Sequence, residues 1–429
     1  MKKLPTRSVL RGLAIAGGAM VLALGALSLP WHGDRVAEPP RLLSTARGVG
    51  PLRAGAAAVN IDLPAGTPIG GFARRSYVAE GPDQPVTARA LVLEAPGARV
   101  AIASAEVLFV TDPLRRRVEA LVADLGLDAL LFGATHTHAG PGGYFDELPF
   151  ELGALGPYDA RVFERIAQAT ADAIRRAAAA SAPARLVVAG GRAADLVRSR
   201  SGGGAGGRLL SLRLSAAGGD PIAEVLVFAA HPTTLGKRNR RISGDWPGRF
   251  LAAGGRGVRL LLQGPIGDQS ARTTDGDAAT RPDRYAAAVR AADDALAGSA
   301  ALEQVPLRAA SVAVALPSPS PGAVPGLLRR AAATLAWSHV PATARVTALR
   351  LGPALLVAVP AEPTAALADR WRAASAAEIV SLVDGYAGYV EEEARARRGE
   401  GEAQRTYYGP DLAGRLEAGI LAAARALED

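Results

Sequence analysis

The chain has 429 residues, enough for one large domain or two ordinary domains with a sizeable core. Charged residues make up 21% of the sequence and form no long acidic or basic run, which excludes an intrinsically disordered chain. The net charge of +8 comes from arginines scattered among alanine and glycine, without an aromatic-lined basic stripe, so no nucleic-acid partner is expected.

The N-terminal segment, residues 1–30, predicts export. Four basic residues precede an apolar stretch over residues 13–29: Lys2, Lys3, Arg7 and Arg11. This pattern is typical of a signal peptide, with small residues near 25–28 for cleavage, and it is also long enough for a single membrane anchor. We therefore expect a periplasmic, extracellular or membrane-anchored protein. Residues 31–53 are rich in Pro, Arg and Gly without periodicity and predict a linker.

The remaining residues, 54–429, mix predicted strands and helices along their whole length. Apolar runs predict strands and amphipathic stretches predict helices. The strands are expected at 56–64, 88–95, 99–110, 225–230, 258–262, 354–362 and 378–390, and the helices at 113–126, 160–180, 282–297, 364–377 and 411–427. The absence of an internal repeat and of segregated helices favours an α/β fold, a single large mixed sheet-and-helix domain.

The most informative stretch is residues 132–144, FGATHTHAGPGGY. It holds His136 and His138, two of only five histidines, where an apolar strand opens into a Gly-Pro-Gly-Gly loop. If extended geometry continues, both imidazoles lie on one face, and the glycines let backbone approach a ligand closely. A third histidine, His231, ends another apolar strand in the same way.

Further reactive side chains stand where predicted strands end. They are Ser270, Glu362, Tyr386 and Tyr389. Two imidazoles and one carboxylate form a common catalytic zinc set that leaves a position open for water. Each of these residues alone also fits an ordinary role, as a hydrogen-bonded histidine, a solvated carboxylate, a core tyrosine or a turn-forming serine. The three histidines also stand where strands end. This shared placement favours a metal site.

The segment THTHAGPGGY resembles the Thr-His-Thr-His-Ser-Gly-Pro-Gly-Gly-Tyr signature of the neutral ceramidases. Other segments resemble the same family in the same order. They are AGAAAVNIDLPAGTPIGGFA, ARALVLEAPGARVAIASAEV, PIAEVLVFAAHPTTLG, ISGDWPGRF, GDQS, VPAEPT, DGYAGYV and YYGP. The resemblance runs from residue 54 to the C-terminus and implies the fold and chemistry of the family's catalytic domain.

The resemblance implies a zinc-dependent hydrolase that cleaves the amide of ceramide, N-acylsphingosine, or of a related N-acyl lipid to a fatty acid and an amine, by attack of a metal-activated water. It implies a lipid-like substrate met at a membrane surface and indicates no particular protein partner. The implied roles are metal ligation by His136, His231, Glu362 and Tyr389, acid/base catalysis by His138, nucleophilic or substrate-binding action by Ser270, and oxyanion contact by Arg198.

The sequence departs from the family pattern on the side that would face the substrate. Glu391, Glu392 and Glu393 replace Thr-Thr-Pro, Gly401 stands where the family has an active-site tyrosine, and Ala271 replaces a proline. The family's C-terminal β-sandwich domain is expected to be absent. Two alternatives therefore stay open. One is an envelope amidase or esterase acting on a non-sphingoid substrate, and the other is a membrane-tethered binding protein with a relict site.

Overall fold

In the computed structural model of the chain, the described residues are 35–73, 78–202, 206–273, 280–324, 332–334 and 339–428. The strands are β1 Arg41–Pro51, β2 Arg53–Asn60, β3 Thr87–Ala95, β4 Ala98–Ala105, β5 Ala129–Ala134, β6 Ala182–Arg192, β7 Val197–Ser199, β8 Arg208–Ala216, β9 Pro221–Phe228, β10 Val258–Gln263, β11 Gln269–Ala271, β12 Gln304–Ala315, β13 Thr343–Leu351, β14 Ala354–Ala358, β15 Glu362–Pro363, β16 Glu378–Val380 and β17 Tyr389–Val390. The α-helices are α1 Asp112–Leu121, α2 Leu148–Phe150, α3 Ala160–Ala179, α4 Asp245–Ala252, α5 Arg281–Asp294, α6 Ala365–Ser375, α7 Glu393–Arg397 and α8 Leu412–Arg425.

Two large sheets organise the described residues. The first has eight strands in the order β10-β9-β8-β6-β2-β3-β4-β5, and the second has five in the order β1-β12-β13-β14-β16. Most neighbours are antiparallel, but β4 with β5, β9 with β10 and β14 with β16 are parallel. Two short pairs, β7 with β11 and β15 with β17, lie outside these sheets. The sheets are therefore mixed, as the α/β prediction requires.

The two sheets pack face to face. Leu91 and Leu93 of β3 lie in one buried cluster with Leu307 of β12 and Leu349 of β13. The intervening residue Val92 lies in a different cluster, together with the helices of the opposite face. Both faces of the eight-stranded sheet are thus covered, which explains why its central strands are apolar at almost every position rather than at alternate ones.

Helices cover the outer faces of both sheets. Helix α3 packs on β2 and β3, and its N-terminus is capped by Asp159, which accepts a hydrogen bond from the Arg161 amide. On the far side, Trp371 of α6 and Leu416 and Ile420 of α8 belong to the cluster that covers the five-stranded sheet. The layers run helix, sheet, sheet, helix. The α/β class predicted from the sequence is confirmed, and the doubling of the sheet layer is an addition that the apolar pattern did not reveal.

The two ends of the eight-stranded sheet come together. The Ser104 hydroxyl in β4 donates to the Leu261 carbonyl of β10 over 2.7 Å, and the Gln263 amide donates to the Thr135 carbonyl over 2.6 Å. The sheet therefore curls until β10 reaches β4 and β5. This curl brings the loops that follow β5, β9 and β10 to one place, although these strands are far apart in the sheet order.

The linker predicted over residues 31–53 is wrong from residue 41 onward. Strand β1, Arg41–Pro51, pairs antiparallel with β12 along its length, so the folded unit begins before residue 54. Strand β1 is the edge of its sheet, and most of its side chains are exposed. An edge strand of this kind lacks the apolar alternation by which strands are predicted, which explains the error.

The strand predicted over residues 378–390 is also wrong in its middle. Only β16 and β17, at its two ends, are strands. Between them Leu382 and Asp384 have φ angles of 60° and 63°, in the left-handed region that a strand does not use.

The N-terminal segment 1–30 lies outside the described residues. Among the helices of the described ranges, none combines the length and apolarity needed to cross a bilayer.

Candidate metal centre

The loop after β5 holds His136 in a constrained conformation. The pairing of β4 with β5 continues past both strands, since the His136 amide donates to the Val107 carbonyl over 3.0 Å. His136 has a φ of 65°, a left-handed conformation that costs a non-glycine residue about 1–3 kcal/mol. Its Nδ1 contacts the Leu108 carbonyl at 2.7 Å, and the side chain is only 2% exposed. The ring is therefore fixed with Nε2 pointing inward.

His231 is fixed in the same manner by a different loop. It follows β9, and both its amide and its Nδ1 lie 2.9 Å from the Gln269 carbonyl. A carbonyl only accepts hydrogen bonds, so Nδ1 of each histidine carries a proton, and Nε2 is the nitrogen that faces the cluster. Nδ1 bonded to a backbone carbonyl with Nε2 free is the usual arrangement of a metal-binding histidine.

Glu362 and Tyr389 complete the cluster from the opposite side. They are aligned in the short parallel pair β15 and β17. The Oε2 atom of Glu362 lies 3.4 Å from His136 Nε2 and 3.3 Å from His231 Nε2, and the Tyr389 hydroxyl lies 3.1 Å from His231 Nε2. Four donor atoms from four separate loops thus converge on one point.

The charge states suit a cation. Burial lowers the pKa of His231 to about 4, which keeps its imidazole neutral at neutral pH. Burial alone would raise the pKa of Glu362, but His136 and His231 hold it well below its ordinary value, so the carboxylate is charged. The cluster therefore offers a neutral His231 imidazole and a charged Glu362 carboxylate, with His136 and the Tyr389 hydroxyl beside them.

One donor atom shows that the cluster fits a metal ion. Oε2 of Glu362 is buried and accepts no hydrogen bond from any residue of the described ranges, whereas its partner Oε1 accepts one from the Tyr386 hydroxyl at 2.7 Å. A buried carboxylate oxygen left bare is costly unless a cation meets it. Nitrogen and oxygen donors in this number are typical of zinc. The side chains His136, His138 and His231 also lie close enough to one another to hold an ion.

Residues 55–203 match the family described as neutral/alkaline non-lysosomal ceramidase, N-terminal. Over these residues the chain is similar to the neutral ceramidase family. Two solved structures resemble the fold, one described as a ceramidase complexed with C2 and one as the neutral ceramidase from Pseudomonas aeruginosa, with TM-scores of 0.77 and 0.76. Each is 20% identical and covers 88% of this chain and 75% of the other, so the likeness establishes the ceramidase fold.

His138 lies beside His136 and His231, close enough to form one group with them. Its Nε2 is 3.3 Å from His136 Nε2, and its ring packs 5.0 Å from that of Phe72. Burial first, and then His136 and His231, lower the pKa of His138 well below its ordinary value. Its imidazole is neutral at rest and is placed to exchange protons at the mouth of the cluster.

Ser270 is held next to His231 by backbone pairing. The two residues form a parallel bridge, and Ser270 lies in β11, whose partner is β7. Its side chain is partly buried. Ser270 is therefore next to His231 in the backbone pairing.

The role of Arg198 stays a prediction, and a second arginine lies nearby. Arg198 is exposed in β7, opposite Ser270 in the register. The guanidinium that reaches the cluster belongs to Arg200, whose Cζ lies 5.9 Å from the ring centroid of Tyr389 and whose Nη2 donates to the Gly267 carbonyl over 2.5 Å. The sequence RSRS contains the Arg-Ser pair twice, so the motif alone could not choose between the two arginines.

Tyr386 has a supporting role that the sequence did not assign, although its position at a strand end was a signal. Its ring stacks on Phe109 with centroids 4.2 Å apart, while its hydroxyl donates to Oε1 of Glu362. Burial and the Glu362 charge raise the pKa of Tyr386 well above its ordinary value, so the hydroxyl keeps its proton. Tyr386 thus turns the other carboxylate oxygen toward the histidines.

Proposed function

We propose that the chain is a zinc-dependent hydrolase that cleaves the amide bond of ceramide or of a related N-acyl lipid. The observation that carries this proposal is the bare Oε2 of Glu362, which faces the Nε2 atoms of His136 and His231 and lies beside the Tyr389 hydroxyl. Bound zinc polarises a carbonyl group and lowers the pKa of water.

The protein's own residues divide the remaining work. His136, His231, Glu362 and Tyr389 would hold the metal. His138, neutral at rest, would take a proton from the attacking water and pass it to the leaving nitrogen, as general acid/base catalysis requires.

Charge and apolar contacts near the centre support an N-acyl substrate. Arg200, beside Tyr389, would stabilise negative charge that develops on the acyl oxygen. Ser270, paired with His231 in the backbone, would bind substrate. Phe145 and Phe150 pack around Phe109 and offer apolar surface close to Tyr386 for an acyl chain.

A non-sphingoid amide or ester is the second candidate, and one contact favours it. A Cβ atom built on Gly401 would lie 2.0 Å from Oε2 of Glu391, and Gly401 has a φ of 58°. A larger side chain there would have to displace the Glu391 carboxylate, which supports a substrate-facing side that differs from the family pattern. We further propose that the chain is exported, and either released or anchored by residues 1–30, where it would meet lipid at a membrane surface.

The test is metal content and fatty-acid release from short- and long-chain ceramides. Wild type should bind about one zinc per chain, and His136→Ala should lose both metal and turnover. His339→Ala is the matched control, because His339 is partly exposed and pairs with Glu147. Zinc without ceramide turnover would move the assignment to other amides and esters. A folded wild type that takes up no zinc would contradict the proposal.

A further inference from the structure

Gln263, the last residue of β10, has a fully buried side chain next to the segment that carries His136. Its Nε2 donates to the Thr135 carbonyl over 2.6 Å, and Thr135 directly precedes His136. Its Oε1 is also buried and has no hydrogen-bond partner among the described residues. The hydrogen bonding of this side chain is therefore directed at one group, the peptide before a candidate metal donor.

That peptide is held at both of its polar ends. The Thr135 carbonyl accepts from Gln263, and the His136 amide donates to the Val107 carbonyl over 3.0 Å. Because a peptide is planar, its orientation sets the φ of the residue that follows, and the φ of His136 is 65°. A left-handed histidine is strained and persists only where its surroundings fix it. Gln263 supplies one of the two hydrogen bonds that fix this peptide.

The main chain of Gln263 contacts the segment next to a second donor. Its carbonyl accepts from the Ser381 amide over 2.7 Å, and the residue after Ser381 donates to the Ala361 carbonyl over 3.2 Å. Ala361 directly precedes Glu362. Gln263 therefore stands between the segments that carry His136 and Glu362, whose Nε2 and Oε2 atoms lie 3.4 Å apart.

Other contacts hold the curl of the sheet without this amide. Ser104 of β4 donates to the Leu261 carbonyl of β10 over 2.7 Å. Leu131 of β5 and Leu262 of β10 lie in one buried cluster. These contacts join the strands whatever side chain residue 263 carries. The amide of Gln263 is thus left with a local task, which is to fix the Thr135 carbonyl.

We infer that Gln263 is a positioning residue for the metal centre, because its amide holds the peptide before His136, and with it the imidazole, in the orientation that metal binding requires. This inference rests on the proposed function and adds a residue to its site. In this role Gln263 touches neither the metal nor the substrate. Its effect should therefore appear in zinc affinity rather than in the stability of the zinc-free protein.

Two opposing effects keep the zinc-free stability of Gln263→Met close to that of wild type. The substitution removes the hydrogen bond to Thr135, which destabilises the fold, but it also removes the unpartnered buried Oε1, which stabilises it. The urea midpoint of the zinc-free variant should therefore remain near the wild-type value. Zinc affinity should fall roughly 10–100-fold, as it does when an outer partner of a metal ligand is lost.

The test measures zinc affinity by competition with a chromogenic chelator, and urea unfolding of the zinc-free protein, for full-length wild type and variants. Gln263→Asn is the second variant. It keeps the amide but is one carbon–carbon bond shorter, about 1.5 Å, so it should also lose zinc affinity. Gln168→Met is the matched control, because Gln168 also donates through Nε2, to Glu164 over 2.7 Å, but lies in α3. It should leave zinc affinity unchanged.

The outcomes separate this inference from the proposed function. Weaker zinc binding by both Gln263 variants, with zinc-free stability retained, would support it. Zinc affinity equal to that of wild type, or a zinc-free Gln263→Met that is unfolded or clearly less stable, would overturn it and leave a purely structural role. Wild type that binds zinc but cleaves no ceramide would count against the substrate assignment alone, since neither readout depends on turnover. Wild type that binds no zinc would contradict the proposed function and this inference together.

Discussion

Replacing Asp384 by asparagine tests how the histidine strand is held in place. Asp384 forms two hydrogen bonds with Phe132 in β5. Its amide donates to the Phe132 carbonyl, and its Oδ1 accepts from the Phe132 amide, both over 2.9 Å. Its other oxygen is buried without a hydrogen bond from the described residues. Burial raises the pKa of Asp384 to about 6, and Arg345 and Arg115 offset this only in part.

The sign of the pH effect follows from this shift. The pKa in the folded protein is above the ordinary value of 3.8, so the native state holds its proton more tightly than the unfolded chain. The contribution of Asp384 to the free energy of unfolding is therefore greatest at low pH, falls between about pH 4 and about pH 6, and remains reduced above that window. A shift of about two units corresponds to roughly 3 kcal/mol. Asparagine keeps the acceptor for Phe132 and removes the charge.

The assay is urea unfolding of wild type and Asp384→Asn, followed by tryptophan fluorescence in matched buffers. The variant should gain roughly 3 kcal/mol relative to wild type between about pH 4 and about pH 7. Asp128→Asn is the control, because Asp128 also accepts from a backbone amide, that of Arg99, but is exposed. An Asp384→Asn difference that is the same at both pH values would refute the electrostatic reasoning.

Two other predictions concern the support of the metal centre. Tyr386→Phe removes the hydroxyl that orients Glu362 and should weaken zinc affinity roughly 10–100-fold without unfolding the chain, as measured by competition with a chromogenic chelator. Gly71→Ala places a Cβ atom 2.4 Å from the His138 Cα at a φ of +113°, and should cost about 2 kcal/mol more than Gly66→Ala, which has positive φ but open space, in the same unfolding assay. Unchanged zinc affinity, or equal costs at the two glycines, would contradict these respective arguments.

Local sequence patterns predicted much of the fold because most of its elements carry their own signals. Helix α3 spans Ala160–Ala179 against an expectation of 160–180, and β3 and β10 also lie close to their expected positions. Strand β1 was missed because its exposed edge has no apolar alternation. The face-to-face packing of the sheets was missed because apolar strands do not reveal what covers them. That information depends on contacts between residues that are far apart in sequence.

The candidate site was likewise predictable from local sequence only in part. The positions of His136 and His231 at strand ends follow from local patterns, but the conformation of His136 does not, because a left-handed histidine is held by carbonyl groups on another strand. The choice between Arg198 and Arg200 likewise depends on the orientation of a loop relative to Tyr389. Sequence therefore identifies which side chains are capable of chemistry, and tertiary contacts decide which of them meet.

The way the donors are held separates metal binding from substrate choice. The imidazoles of His136 and His231 are oriented by backbone carbonyls of Leu108 and Gln269, which any side chain at those positions would provide. The guanidinium of Arg405, in contrast, is held by a side chain and lies outside this scaffold. Substitutions at Arg405 therefore need not move the carbonyls that orient the two imidazoles.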